Sequence, residues 1–151
     1  TRLDAVNVMI DWLETDPTDV DNNNNLIIGD LNSYRMEDPI RALEAAGYVN
    51  LMDRFDVAYT YAFFGQWGTL DYAFASPTLA SQVEDTAAWH INADEPNVLN
   101  YETNFKSPAQ VDYLYTEAPW RAADHDPVVV GLEMGFWEIW MPILIQYDEQ
   151  P

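Results

Sequence analysis

Leu3, Val6, Met9, Ile10 and Leu13 recur at helical spacing, which predicts an amphipathic α-helix over residues 2–15. The pattern stops at "TDPTDVDNNNN", where Pro17 and the asparagine run predict a polar loop. "LIIG" at 26–29 has no alternation and predicts a short strand buried on both faces, as in the centre of a layered α/β domain. "EDPIRALEAAGY" predicts a second helix, with Asp38 as N-cap, Pro39 in the first turn and Gly47 as the left-handed residue past its end. "VAYTYAFFG" and "TLDYAFAS" are rich in strand formers, and the "GQWG" between them predicts a hairpin.

Farther on, "SPTLASQV" predicts a short helix opening at Ser76, and "TAAWHIN" another strand. Residues 93–120, with Pro96, Pro108 and Pro119, predict a long irregular excursion of the kind that carries function in compact domains. "DPVVVGLE" predicts a last buried strand. No internal repeat or boundary interrupts residues 1–133, which read as one domain. Residues 134–151 form a separate apolar tail, which covers a sheet edge or is non-native; the residues do not choose between the two.

Composition narrows the class. Of the 151 residues, 48% are hydrophobic, enough for a packed core rather than a disordered chain. The absence of cysteine excludes disulfides and thiolate metal sites. There are 26 acidic and 6 basic residues, a net charge of -20, which argues against nucleic-acid binding through a basic patch. A phosphate-ester substrate would therefore need bound cations to offset its charge. The acidity also fits a saline or calcium-rich setting. The chain starts at Thr1 directly in a helix, with no basic leader, so residue 1 is expected not to be the natural start. No apolar run reaches the roughly 18 residues of a membrane span; "FWEIWMPILI" is broken by Glu138 and Pro142.

Ionisable and amide side chains sit at the ends of the apolar runs. Asp30 and Asn32 follow "LIIG", Asp71 lies within "TLDYAFAS", and Asp124 and His125 precede "PVVVGL". Singly these are a polar turn, a hairpin cap and a solvated pair. Residues at strand ends project into one layer when the strands share a sheet, so together the five are expected to converge despite their separation in sequence.

"GDLNSY", "LDYAFAS" and "ADHDPVVVGL" resemble the three C-terminal motifs of the endonuclease/exonuclease/phosphatase superfamily. "GDLNSYRMEDPIRALEAAGYVNL", "FGQWGTLDYAFASPTLASQV" and "WHINADEP" are similar to the large bacterial extracellular nucleases within it. The resemblance covers residues 2 to 132 and implies the C-terminal half of a four-layer α/β/β/α sandwich (DNase-like). The N-terminal half, with its metal-binding Glu and early Asn, has no counterpart in this sequence, so the fold is expected to be incomplete.

The implied activity is divalent-metal-dependent hydrolysis of DNA or RNA, with Mg²⁺, or Ca²⁺ or Mn²⁺, as cofactor. Asp30 is implied to orient and help deprotonate the attacking water, and to bind metal. Asn32 would bond the nucleophile or a phosphate oxygen. His125 would contact the scissile phosphate, Asp71 would fix the His125 tautomer, and Asp124 would sit beside the cation. The alternatives are a phosphomonoesterase, a phospholipid diesterase, or a catalytically silent half domain. The implied location is extracellular or periplasmic.

Neighbouring residues carry further expectations. Tyr34, Trp67 and Tyr72 are candidates to line the site and stack on bases, with core packing as the alternative. Arg121 either meets a phosphate or forms a surface ion pair. His90 is expected to pack along its strand. "ADEPNVLNYETNFK" has enough carboxylates and amides for a structural Ca²⁺, although its spacing matches no loop motif.

Overall fold

The computed structural model describes residues 1–133 and Gly135. The apolar tail at 134–151 otherwise lies outside the described residues. The first helix, α1 (Arg2–Leu13), begins where a capping box allows it: Thr1 accepts from the Asp4 backbone N–H while Asp4 takes the Thr1 backbone. It ends at Leu13, and the Thr15 hydroxyl then bonds back to the Trp12 carbonyl.

In α2 (Asp38–Ala45) the N-cap is Glu37 rather than Asp38. Asp38 instead occupies the first turn ahead of Pro39, where a carboxylate meets the positive end of the helix dipole. The other end is as expected. Gly47, at φ +92°, lets Tyr48 N–H reach the Leu43 carbonyl and its own N–H reach that of Glu44, the Schellman pattern.

The strands pair in small antiparallel sheets. β1 (Leu26–Asp30), β2 (Val49–Asn50) and β5 (Asp71–Ala75) form a three-stranded sheet in the order β1-β5-β2. Thus β5 is central and β1 is an edge, against the expectation of a doubly buried strand at 26–29. The register sets Ile27 opposite Phe74 and Gly29 opposite Tyr72. Those residues share one face, packed with Val6, Ile40 and Leu43 from the two helices. Leu26 and Ile28 point the other way and remain 36% and 48% exposed.

The hairpin is shorter than the sequence suggests. β3 (Tyr61–Phe63) pairs with β4 (Gln66–Gly68) across a two-residue turn. Phe64 and Gly65 both have positive φ there, as a primed turn requires. "TLDYAFAS" is therefore not the second arm; it supplies β5 in another sheet.

A third sheet pairs β6 (Val83–Ala88) with β7 (Val128–Leu132), with a bulge near Val83 and Asp85. β6 starts three residues before the expected strand and ends before Trp89. β7 is half-buried rather than buried: Val128, Val130 and Leu132 join the core while Val129 stays 50% exposed. Two short helices, α3 (Leu51–Arg54) and α4 (Pro77–Ala80), flank β5. Ser76 caps α4 by position only, because its hydroxyl accepts from Asn25 N–H and so ties the start of β1.

The excursion at 93–120 contains regular pieces: a 3₁₀ turn at Asn97–Leu99 and α5 (Pro108–Leu114), opened by a Ser107–Gln110 capping box. The architecture is mixed α/β, built of helices and small antiparallel sheets. Among the described residues, no helix is long and apolar enough to cross a membrane.

Candidate functional site

The β1–β5 register puts Asp30 directly opposite Asp71. Both side chains therefore leave the same face of the sheet at the same end. Like charges in that arrangement repel across the strands and weaken the pairing. His125 joins them from the segment before β7. It forms an isolated bridge with Tyr61, fixed on one side by Ala62 N–H to Asp124 O (2.9 Å) and on the other by Asp126 N–H to Thr60 O (2.7 Å).

The outcome is a compact cluster. His125 Nδ1 lies 2.7 Å from Asp71 Oδ2. Ligand atoms of Asp30, Asp71 and His125 all fall within 4.8 Å of one another. A carboxylate only accepts, so Nδ1 carries the hydrogen in this bond and Nε2 is left for other chemistry.

Two supports hold the carboxylates. Asn32, at φ +48°, folds back so that its backbone N–H reaches Asp30 Oδ1 (2.7 Å) and its amide reaches Oδ2 (2.9 Å). The same amide places the Asn32 Oδ1, a neutral acceptor, beside Asp30. The buried Thr60 hydroxyl accepts from both Leu70 and Asp71 N–H at 3.1 Å, and this pins the start of β5. The sequence reading did not single out Thr60.

Not every candidate reaches the cluster. Asp124 is adjacent, but among the described residues its carboxylate is outside the group formed by Asp30, Asp71 and His125. Arg121 is neither a phosphate contact nor a surface ion pair. It is 3% exposed, and its guanidinium donates to Ala62 O (3.0 Å) and Asn97 Oδ1 (2.8 Å), bracing the 93–97 loop against β3.

The aromatic candidates end in three different places. Tyr34 stays at the site, hydroxyl to hydroxyl with Tyr61. Trp67 pairs across the hairpin with Ala62, on the face opposite Tyr61, and its indole donates to Asp94. Tyr72 is in the core, donating to Thr69 O, and burial pushes its phenol well above the ordinary range.

His90 lies beyond the end of β6, not along it. It bonds Asp126 (2.9 Å) and stacks on Tyr59 with ring centres 4.2 Å apart. Asp126, which the sequence reading passed over, is buried and also accepts the backbone N–H groups of Ile91, Asn92 and Ala93.

The carboxylates of the 93–106 segment are used internally: Asp94 by Tyr59 and Trp67, Glu95 by Arg121 N–H, and Glu102 by Asn104 N–H. Among the described residues, no second group of three His, Asp or Glu side chains gathers ligand atoms.

Tyr59 gives this clasp a pH signature. The hydrogen bond to Asp94, then burial, pushes its phenol up to about 12. The folded chain thus holds this proton more tightly than the unfolded chain, so the stabilisation is complete below pH ~10 and lost as pH rises through about 12. Alkaline titration followed by phenolate absorbance should show this late step, and Asp94→Asn should move it down towards the ordinary tyrosine range. A titration identical in both proteins would contradict the assignment.

The donor set at Asp30 and Asp71 consists of hard oxygens and fits Mg²⁺, Ca²⁺ or Mn²⁺ better than a soft metal. A cation there would also relieve the cross-strand repulsion, and Asn32 adds a neutral oxygen. No protein family, curated protein or solved structure matches the chain.

Proposed function

We propose that this chain is the C-terminal half of a divalent-metal-dependent phosphodiesterase that hydrolyses DNA or RNA. The supporting observation is the convergence of Asp30, Asp71 and His125, from three separate motifs, on one face of one sheet. Asp30 and Asp71 would hold the cation, with Asn32 beside them. A bound cation would neutralise charge at the phosphate and lower the pKa of water.

The chain's own groups do the rest. Asp30, held by two donors from Asn32, orients the attacking water and accepts its proton. The Asn32 oxygen fixes the second hydrogen of that water. His125, oriented through Nδ1 by Asp71, presents Nε2 to the phosphate and, as imidazolium, donates to its developing negative charge.

The half-sandwich reading draws on the partly exposed outer face of β1 among the described residues. Leu26 and Ile28 form an apolar patch that a second sheet would cover, as the four-layer architecture requires. The same patch favours a second reading, in which the isolated chain is catalytically silent and acts only when that half is present. The extracellular or periplasmic location is proposed from the resemblance and the acidic surface.

The test is hydrolysis by the full-length protein of plasmid DNA, RNA, inositol phosphates and sphingomyelin. Each is assayed with Mg²⁺, Ca²⁺ or Mn²⁺, and with a chelator. Metal-dependent cleavage of nucleic acid is expected; cleavage that survives the chelator, or no cleavage, rejects the proposal. Full activity of the 151-residue chain, lost in His125→Ala, would reject the silent-half reading.

A further inference from the structure

We infer that Tyr61 is a positioning residue of this site, holding the His125 imidazole in plane against Asp71, and that Gly68 is the clearance that admits its ring. The inference deepens the proposed function only in taking His125 as a working group; the ring arrangement does not depend on the reaction.

Three contacts define the arrangement. The Tyr61 ring stacks on the imidazole, with centroids 5.6 Å apart and planes inclined by 28°. The backbone bridge between Tyr61 and His125 fixes the spacing of the two rings from below. The Tyr61 hydroxyl is tied to that of Tyr34, a second restraint on the ring. That bond, together with burial, raises the Tyr61 phenol above its ordinary value. The imidazole is thus held on its face by Tyr61 and on its edge by Asp71. An imidazole restrained on both sides keeps Nε2 in a fixed direction, as a preorganised donor requires.

Gly68 shows that the space is shaped for this ring. It sits opposite Tyr61 in the hairpin register, and a Cβ there would lie 2.6 Å from Tyr61 Cε1 and 3.2 Å from Tyr34 Cε1. Any other residue would displace the tyrosine. Nor is Tyr61 ordinary core packing: it is buried, yet it is not part of the main apolar cluster around Tyr72 and Phe74.

The chain has two histidines, so its imidazole NMR signals can be assigned and compared directly. His90, stacked on Tyr59 and paired with Asp126, is the internal control. In Tyr61→Leu, the His125 ring protons should lose their ring-current shift and the Nδ1–H signal should broaden, with His90 unmoved. Tyr61→Phe should keep the ring-current shift. Unmoved His125 signals in Tyr61→Leu overturn the inference.

If Tyr61→Leu also disperses the His90 signals, Gly68→Ala decides. The inference then requires a shift confined to His125 and is rejected by its absence. These readouts need no hydrolysis, so they stand whether or not the phosphodiesterase proposal does. In the full-length enzyme Tyr61→Leu should lower kcat with KM little changed, and Tyr61→Phe should recover most of the loss.

Discussion

Asp71→Asn is expected to leave the chain folded and, on the proposed phosphodiesterase reading, to lower hydrolysis ~10²–10⁴-fold, the scale of what the histidine it orients contributes as an acid–base group. Asp71 has two partners with opposite consequences. Towards His125 it is an acceptor at 2.7 Å, which fixes the hydrogen on Nδ1. An asparagine amide can accept from Nδ1–H or donate to an unprotonated Nδ1, so it no longer requires a hydrogen there, and the imidazolium that donates from Nε2 loses its charged partner.

Towards Asp30, Asp71 is a like charge in direct cross-strand register. Removing that repulsion should raise the stability of the metal-free chain by ~0.2–1 kcal/mol. The same substitution removes a cation ligand, so added Mg²⁺ should stabilise the original chain against urea more than it stabilises the variant. Activity lost and metal-free stability gained is a combination that a purely structural Asp71 would not produce. Initial rates and urea unfolding, with and without Mg²⁺, measure it. An unchanged rate, or a marked fall in metal-free stability, would count against the assigned role.

The residues of this cluster were legible because each marks a switch from apolar run to polar end: "LIIG" into Asp30, "TLD" at the opening of β5, and His125 just ahead of β7. Their meeting is an expectation from a shared sheet and from the resemblance; the register that sets Asp30 against Asp71 is encoded in no local pattern. The apolar run at β1 reads as doubly buried because branched residues without alternation are the pattern of a central strand. Among the described residues β1 has one neighbour, β5, and Ile28 is exposed.

Arg121 shows the same limit in reverse. Its place near the Asp-His pair suggested a phosphate contact, but a buried backbone at φ +42° turns the guanidinium inward to Ala62 and Asn97. Trp67 was misplaced by parity, since a one-residue difference along β4 moves a side chain to the other face of the hairpin. The α5 helix did carry its signal, in the "SPAQ" of its capping box, but the surrounding prolines and polar residues masked it.

Asp126→Ala should cost about 3–5 kcal/mol, at roughly 1–3 for each buried donor it strands, a large share of the ~5–15 kcal/mol that holds a domain folded. "HDP" reads locally as a turn before a strand, so nothing in it predicts a keystone. Yet Asp126 Oδ1 gathers the N–H groups of Ile91 (3.2 Å), Asn92 (3.4 Å) and Ala93 (3.1 Å), and Oδ2 takes His90. Alanine would leave the buried Asn92 and Ala93 donors without partners, and the desolvation of such groups is what makes the loss large.

Asp126→Asn keeps a carbonyl for the three donors and should cost only ~1–2 kcal/mol. His90→Ala leaves all three backbone bonds to the carboxylate in place and should cost least. The ranking Asp126→Ala, Asp126→Asn, His90→Ala, from most to least destabilised, follows from counting the donors left unpaired; urea unfolding of the three variants checks it, and a reversed order would refute it. The consequence extends to the cluster. Asp126 N–H holds Thr60 O, and the Thr60 hydroxyl holds Asp71 N–H, so a loosened Asp126 frees both Asp71 and its neighbour His125. Activity and stability should therefore fall together in Asp126→Ala, whereas in Asp71→Asn they part, and that contrast separates the residue that anchors the site from the one that works in it.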